Sequence, residues 1–179
     1  MNSVDKAIQF AACAHEGQYR KGTDIPYITH PFTVSMMLQK EGATVEQVVA
    51  GLLHDTVEDT DVTYSIVEKE FGEEIGNLVR ACSESDKSAS WEERKQETIL
   101  KMKHVDEKAI PIILADKIHN LSSSYQDYLV VGDRIWDRFN RGKDQQQWYY
   151  ESLVQAMKER GVQGSLFDEF AELVKNMFS

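Results

Sequence analysis

Apolar residues recur at every third or fourth position along most of the chain, which is the period of an amphipathic helix. We find no segment with the strict alternation of apolar and polar residues that is typical of a half-buried strand. Capping residues, glycines and prolines divide the helical pattern into shorter segments. The predicted helices cover residues 7–15, 30–41, 44–57, 63–72, 73–82, 91–104, 106–131, 144–160 and 165–178. The sequence therefore predicts an all-α fold.

Several helix boundaries have specific signals. Thr44 and Gln47 match a capping box, in which each side chain accepts a hydrogen bond from the other residue's backbone N–H group. Asp144 and Ser165 are predicted to cap the last two helices. Residues 132–144 break the helical period and are predicted to be irregular. Aromatic residues in and just after this segment are typical of a core, yet three of its basic residues could cap a pocket: Arg138, Arg141 and Lys143.

Length and composition favour a single domain. With 179 residues, 41% of them hydrophobic, the chain is long enough to bury a sizeable core. We expect one domain over residues 1–179, with a core at about 5–131 and a helical C-terminal extension at about 132–179. The chain has no apolar run long enough to cross a bilayer and no targeting signal, so we expect a cytoplasmic protein that binds no membrane. Cys13 and Cys82 lack a metal-type spacing and are expected to be buried thiols.

The charge balance narrows the classes of ligand. A formal net charge of −10 argues against nucleic acid, because affinity for the phosphate backbone needs a basic face. A small phosphorylated molecule is compatible if a divalent cation and a few basic side chains offset the acidic ones locally. Basic residues that could do so are Arg20 and Lys21, Arg94 and Lys95, and Lys117. We therefore expect a small-molecule ligand.

The segment 52–60 carries the most chemistry. The imidazole of His54 and the carboxylate of Asp55 directly follow an apolar run, and two more acids, Glu58 and Asp59, follow one helical turn later. His54 and Asp55 are neighbours, so both can reach one ion only where the helix opens into a loop. This arrangement predicts a metal site with acid and base groups beside it.

Two distant residues complete the candidate metal site. His30 lies at a predicted helix start, and Asp116 interrupts an apolar stretch, where a buried charge is costly unless it is paired or bound to a metal. With His54 and Asp55 they form a mixed nitrogen and oxygen ligand set, which suits Mn²⁺, Fe²⁺, Co²⁺ or Zn²⁺ better than Mg²⁺ or Ca²⁺. Such a set leaves room for water and substrate on an octahedral ion. A lone histidine is usually an ordinary hydrogen-bonded residue, and we interpret the others so: His15, His104 and His119.

These residues also match a known family in order and in flanking sequence. The chain resembles the HD superfamily of metal-dependent phosphohydrolases, and in particular the hydrolase domain of the RelA/SpoT homologues and the small alarmone hydrolases. The resemblance runs from about residue 7 to residue 124. The motifs that carry it are Ala14-His15 to Arg20-Lys21, Pro26-Tyr27-Ile28-Thr29-His30-Pro31, Leu53-His54-Asp55-Thr56-Val57-Glu58-Asp59-Thr60, Glu92-Glu93-Arg94-Lys95 and Leu114-Ala115-Asp116-Lys117-Ile118-His119-Asn120-Leu121. It implies an HD-domain helical bundle.

The resemblance also implies an activity and a role for each site residue. It implies Mn²⁺-dependent removal of the 3′-pyrophosphate from (p)ppGpp or a related purine alarmone such as (p)ppApp. Glu58 and Asp59 match the paired acids that orient or deprotonate the attacking water. The residues expected to bind one Mn²⁺ ion are His30, His54, Asp55 and Asp116. The residues expected to contact the nucleotide are Arg20, Lys21, Tyr27 and Asn120.

The sequence departs from the family pattern at two places. Ser122 stands where alarmone hydrolases usually carry arginine, and the acidic run before Lys87 reads Ser83-Glu84-Ser85-Asp86. Loss of a cation from the pocket leaves open which nucleotide the protein accepts. It does not change the expected metal chemistry. The alternatives are another HD phosphohydrolase activity, such as that of a 5′-nucleotidase, and a non-catalytic nucleotide-binding module. The intact Glu58-Asp59 pair favours an enzyme over a non-catalytic module. The sequence leaves the oligomeric state open, and a homodimer is one possibility.

Overall fold

The structure is a computed structural model that describes residues 2–84 and 88–179. Within those ranges the secondary structure is helical apart from a single β-bridge between Tyr19 and Pro26. The predicted all-α fold is confirmed. The altered acidic run noted above falls partly on residues 85–87, which lie outside the described residues.

The helices differ in length from one turn to six. In chain order they are α1 (Ser3–Ala14), α2 (Thr29–Lys40), α3 (Val45–Leu53), α4 (Thr56–Asp59), α5 (Tyr64–Phe71), α6 (Glu73–Cys82), α7 (Trp91–Lys101), α8 (Ile110–Val131), α9 (Lys143–Arg160) and α10 (Ser165–Phe178). Two 3₁₀ helices, Glu107–Ala109 and Gly132–Arg138, flank α8. None of the described helices has both the length and the apolar composition that a membrane-crossing segment needs.

The chain separates into two compact units. The first consists of Met1–Ser83 and Asp106–Asp116, and the second of Glu84–Val105 and Lys117–Ser179. Helix α8 therefore contributes residues 110–116 to the first unit and its remaining residues to the second.

Helix α3 is the central helix of the first unit. All residues from 47 to 53 are buried, as expected for a helix that is apolar on every side, and α3 packs against α1, α2 and α6. Gly51 allows the close approach of α2, because a Cβ atom added there would lie 2.6 Å from Cδ1 of Leu38. This packing brings the start of α2 to the end of α3. The rings of His30 and His54 consequently lie 5.2 Å apart.

The predicted helix 44–57 is wrong at its C-terminal end, although its capping box is confirmed. Helix α3 ends at Leu53, and α4 begins after a turn. Two side chains bond to backbone carbonyls at this point: Nδ1 of His54 to Gly51 at 2.8 Å and Oγ1 of Thr56 to Leu53 at 2.7 Å. Side-chain bonds of this kind compete with the helical ladder, so the helix opens where the candidate ligands lie.

In the second unit, α9 packs against α7 and α10. The predicted helix 91–104 is too long, because α7 ends at Lys101. Arg160, at the end of α9, donates hydrogen bonds to the carbonyl oxygens of Met102 at 2.8 Å and Val105 at 2.6 Å. A distant side chain thus satisfies carbonyl groups that a longer helix would otherwise use.

The segment 132–144, predicted to be irregular, contains a 3₁₀ helix. Two of the three basic residues named above form ion pairs inside the second unit. Arg138 binds Asp127 at 2.5 Å, and Arg141 binds Glu92 at 2.5 Å.

Other predicted boundaries differ by a few residues. Helix α1 begins earlier than predicted because the side chain of Asn2 accepts a hydrogen bond from the N–H group of Asp5 at 2.9 Å. The helix predicted from residue 106 begins as a 3₁₀ helix. The predicted caps Asp144 and Ser165 both lie inside the first turn of their helices, and glycines occupy the two N-cap positions.

The cysteines are less buried than predicted. Cys13 is exposed and Cys82 is half-buried. Helix α1 buries Ala7 and Ala11, and Cys13, two positions beyond Ala11, is turned by about 200° to the opposite face. The prediction therefore assigned Cys13 to the wrong side of its helix.

Candidate metal centre

Four predicted ligands converge in the first unit, and we call them the His-Asp cluster: His30, His54, Asp55 and Asp116. His30 lies in the first turn of α2, His54 and Asp55 form the turn between α3 and α4, and Asp116 lies on α8. One ligand atom from each of His30, His54 and Asp116 lies within 4.8 Å of the others. The four side chains are only 1% to 16% exposed. The cluster therefore has the compactness and burial of a metal site.

Each imidazole of the cluster lies close to both carboxylates. Nε2 of His30 lies 3.4 Å from Oδ2 of Asp55 and 3.2 Å from Oδ1 of Asp116. Nε2 of His54 lies 3.1 Å and 3.7 Å from the same two oxygen atoms. All four groups thus point at one small volume.

The hydrogen bond of His54 leaves one nitrogen available to a ligand. The Gly51 carbonyl can only accept, so Nδ1 of His54 carries the proton, and in the neutral ring the Nε2 lone pair points at the carboxylates. Nε2 is buried and makes no well-aligned hydrogen bond. A histidine that donates its other N–H group to a backbone carbonyl is typical of metal ligands. The residues therefore fit a divalent cation.

The electrostatics of the cluster lead to the same conclusion. Burial opposes the charged form of His54, but the carboxylates of Asp55 and Asp116 hold its pKa well above the usual value. Burial likewise opposes the charged form of Asp55, but His54 and His30 hold its pKa well below the usual range. The two carboxylates thus require positive charge, which a divalent cation can supply in place of protons.

Tyr27 contacts the cluster directly, a role that the sequence reasoning missed. Its hydroxyl donates a hydrogen bond to Oδ2 of Asp55 at 2.7 Å. Burial, followed by the negative charge of Asp55, raises the pKa of Tyr27 well above its usual value, so the hydroxyl keeps its proton. The predicted role was a wall of the nucleotide pocket. The one signal in the sequence is the position of Tyr27 three residues before His30.

The predicted basic pair lies beside Tyr27. The guanidinium carbon of Arg20 is 5.7 Å from the centre of the Tyr27 ring, and Arg20 is half-buried. Lys21 is exposed. Arg20 is therefore close to the His-Asp cluster through its contact with the tyrosine that holds Asp55.

The predicted acids lie on α4, one turn after Asp55. The backbone N–H of Asp59 donates to the carbonyl of Asp55 at 2.9 Å. The negative charge of Asp59 is among those that raise the pKa of Tyr27, so this carboxylate acts on the same site. Asp59 is exposed and Glu58 is half-buried. Both acids are thus carried next to the cluster by a four-residue helix.

The remaining predicted residues belong to the second unit. Asn120 lies on α8, four residues after Asp116, and is half-buried. Arg94 and Lys95 bind the carboxylate of Glu84 at 2.8 Å and 2.5 Å. Burial opposes ionisation of Glu84, but Lys95, Arg94 and Lys117 hold its pKa below the usual value. Two of the three predicted basic groups therefore meet at one carboxylate, and we call this set the Glu84 cluster: Glu84, Arg94, Lys95 and Lys117.

Residues 7–129 match the HD domain family. The chain belongs to that family. A GTP pyrophosphokinase of Streptomyces antibioticus is 38% identical over 124 residues, which are 68% of this chain and 15% of that protein. This HD domain protein spans 14% to 16% of the length of such bacterial relatives.

Other relatives match over nearly their whole length. The mouse protein MESH1, named a guanosine-3′,5′-bis(diphosphate) 3′-pyrophosphohydrolase, is 35% identical over 176 residues, which are 97% of this chain and 91% of that protein. The solved structure of a metazoan SpoT ortholog, described as hydrolysing ppGpp, superposes with a TM-score of 0.82 at 30% identity and covers 98% of this chain and 96% of its own. The HD-domain helical fold predicted from the sequence is thus confirmed.

Proposed function

We propose that this HD domain protein hydrolyses the 3′-pyrophosphate of guanosine 3′,5′-bis(diphosphate)-type nucleotides and releases pyrophosphate. The observation that carries the proposal is a buried His-Asp cluster suited to a divalent cation, with a pair of acids on the adjoining α4. Relatives of matching length named for this reaction support it.

We propose that the cluster holds one divalent ion and that this ion is Mn²⁺. Two imidazole nitrogens and two carboxylate oxygens suit Mn²⁺ better than Mg²⁺ or Ca²⁺. When bound, such an ion lowers the pKa of a coordinated water and polarises the phosphate. The proposed ligands are His30, His54, Asp55 and Asp116.

The proposed reaction is attack by water on the phosphorus attached to the 3′ oxygen. The bond between that phosphorus and the 3′ oxygen breaks, pyrophosphate leaves, and the 3′ oxygen takes up a proton. We propose that Glu58 or Asp59 orients the water and accepts the proton that it loses. Tyr27 holds the Asp55 carboxylate in place through its hydroxyl.

Basic residues are proposed to bind the phosphate groups of the substrate. Arg20 and Lys21 lie on the loop that leads to Tyr27, and the guanidinium carbon of Arg20 lies 5.7 Å from the centre of the tyrosine ring. A chain with a net charge of −10 needs such local cations to accept a polyphosphate. Tyr27 and Asn120 stay predicted nucleotide contacts, and related purine alarmones such as (p)ppApp stay close rivals of (p)ppGpp as substrates.

We propose that residues 1–179 act as one HD hydrolase domain, with its core at about 5–131 and an extension at about 132–179. The partner is a small nucleotide, and a cytoplasmic location stays an expectation.

One assay tests the proposal against its alternatives. The purified protein is stripped of metal with a chelator, reloaded with Mn²⁺, Zn²⁺ or Mg²⁺, and incubated separately with ppGpp, ppApp and a nucleoside 5′-monophosphate. We expect pyrophosphate and a nucleoside 5′-diphosphate, identified by mass spectrometry, with the highest rate in Mn²⁺. Orthophosphate from the monophosphate instead would favour a 5′-nucleotidase. Binding without turnover of any nucleotide would favour a non-catalytic module.

A further inference from the structure

Gln18 joins three parts of the first unit at the edge of the candidate site. Its side-chain nitrogen Nε2 donates a hydrogen bond to the backbone carbonyl of Asp59 at 2.6 Å. Its side-chain oxygen Oε1 lies 2.8 Å from Nδ1 of His15. Its backbone carbonyl accepts a hydrogen bond from the N–H of Tyr27 at 2.8 Å. Gln18 therefore links the end of α1 both to the acid pair and to the tyrosine that holds Asp55.

The bond to Asp59 is important because α4 is only one turn long. A helix leaves its last carbonyl groups without partners inside the helix, and a four-residue helix is unstable by itself. The N–H group of Asp59 is held by the carbonyl of Asp55, and its carbonyl is held by Gln18. The residue that ends the acid-bearing turn is thus held on both sides.

His15 determines which way the Gln18 amide faces. The Asp59 carbonyl can only accept, so the NH₂ group of Gln18 must point to it and Oε1 must point to His15. Nδ1 of His15 then carries the ring proton and donates a hydrogen bond to Oε1 of Gln18. His15 is 3% exposed, its ring packs 5.0 Å from that of Tyr27, and its Nε2 makes no hydrogen bond. A buried ring in one orientation therefore fixes the amide.

We propose that Gln18 is a positioning residue for the acid pair Glu58 and Asp59, with His15 as its support. The inference rests on the proposed hydrolysis, and it assigns a role in that reaction to two residues outside the ligand set. Loss of the Gln18 amide releases the end of α4 and moves the acids, while His54 and Asp55 keep their own contacts with Gly51 and Tyr27. Turnover should fall, and metal binding should not.

The test compares Gln18→Met with Gln47→Met. Gln47 makes a bond of the same kind in the same unit, from its Nε2 to the backbone carbonyl of Lys108 at 2.8 Å, and lies away from α4. We expect kcat of Gln18→Met to fall by about 10- to 100-fold, because small displacements of catalytic groups have effects of this size. The KM should stay near its wild-type value, and so should the Mn²⁺ affinity, which calorimetry measures. Gln47→Met should lower the melting temperature and keep kcat.

Hydrogen exchange of the backbone amides at residues 56–60 gives a readout that needs neither substrate nor activity. We expect faster exchange there in Gln18→Met and wild-type exchange in Gln47→Met. If Gln18→Met does not fold, Gln18→Glu takes its place, since it accepts from His15 but offers Asp59 no N–H group. The same loss of kcat is expected.

Four results would overturn the inference. They are a wild-type kcat in folded Gln18→Met, a loss of Mn²⁺ from that variant, an equal loss of kcat in Gln47→Met, and unchanged exchange at residues 56–60. If the wild-type protein itself hydrolyses none of the nucleotides, the proposed function fails. In that case the exchange comparison still decides whether Gln18 holds α4.

Discussion

The His-Asp cluster of the first unit and the Glu84 cluster of the second are both sheltered groups of charges, but their imbalance has opposite signs. The His-Asp cluster combines two carboxylates with two imidazoles, which are cationic only when protonated. The Glu84 cluster sets one carboxylate against three basic side chains. The first group has a deficit of positive charge, and the second has an excess.

This difference separates a site that can bind a cation from one that cannot. In the His-Asp cluster the missing positive charge can come from protons or from a metal ion, so ligand binding changes its charge state. In the Glu84 cluster the cations are part of the chain and repel a metal. We therefore expect substitutions in the first cluster to alter metal binding and catalysis, and those in the second to alter stability.

The largest effect is expected from Asp55→Ala. It removes a carboxylate that lies within 3.4 Å of both imidazoles, so bound metal and hydrolysis should both be lost. Metal content by mass spectrometry and turnover of ppGpp measure the two losses. Glu84→Gln serves as the matched control, since it removes a sheltered carboxylate from the other cluster and should retain the metal. Full metal occupancy in Asp55→Ala would exclude this residue as a ligand.

Glu58→Gln should have the next largest effect and separates catalysis from metal binding. It keeps the shape and hydrogen bonding of the side chain but removes its basicity, so kcat should fall by roughly 10²- to 10⁴-fold, the usual contribution of a general base. Metal content and nucleotide affinity should be retained. Asp59→Asn is the parallel variant.

Near-normal turnover in both Glu58→Gln and Asp59→Asn would rule out the proposed role of the acid pair. Loss of metal from either variant would instead make that residue a ligand, and the His-Asp cluster would then be larger than its four members.

Tyr27→Phe tests whether the tyrosine hydroxyl supports metal binding by the His-Asp cluster. It removes the hydroxyl that donates to Asp55 and keeps the ring that packs against His15 and His30. Hydrogen bonds to metal ligands commonly contribute 10- to 100-fold to metal affinity, so we expect a weakening of roughly that size, measured by calorimetry. An unchanged affinity would mean that Asp55 is held in place without the tyrosine.

Glu84→Gln tests whether the Glu84 cluster stabilises the folded protein. It leaves Arg94 and Lys95 without their shared carboxylate, and we expect the free energy of unfolding to fall by about 1–3 kcal/mol, less than for a fully buried pair. Chemical denaturation measures this loss. A stability equal to that of the wild type would show that the cations do not depend on Glu84.

The stabilisation that Glu84 contributes should decrease at acidic pH. Burial opposes ionisation of Glu84, but Lys95, Arg94 and Lys117 hold its pKa below the usual 4.5. The stabilisation is therefore present above about pH 4.5 and is lost as the pH falls through the lower value of the folded protein. The difference in stability between wild type and Glu84→Gln should shrink in that acidic range.

Arg20→Ala should have the smallest effect. A cation beside Tyr27 binds the phosphate groups alike in the ground state and the transition state, so KM should rise several-fold, with kcat and metal content unchanged. Steady-state kinetics with ppGpp measures both constants. A defect confined to kcat would contradict a role in substrate binding.

Much of the fold could be predicted where local signals agree. The bounds of α6 match the prediction, as do the capping box of α3 and the position of Gly72 as the C-cap of α5, because caps and apolar period point to the same residues. The prediction failed where a distant side chain ends a helix, as Arg160 does after α7. No pattern within residues 91–104 contains that information.

The sequence by itself determined which groups are candidates for the metal, because residue type and position beside apolar runs are local properties. Only the tertiary structure decided which atoms meet. The hydroxyl of Tyr27 reaches Asp55 across 28 positions, and the amide of Gln18 reaches Asp59 across 41. Both contacts lie in the unit built on α3, which packs against α1 and α2, and such packing depends on surfaces that are far apart in the chain.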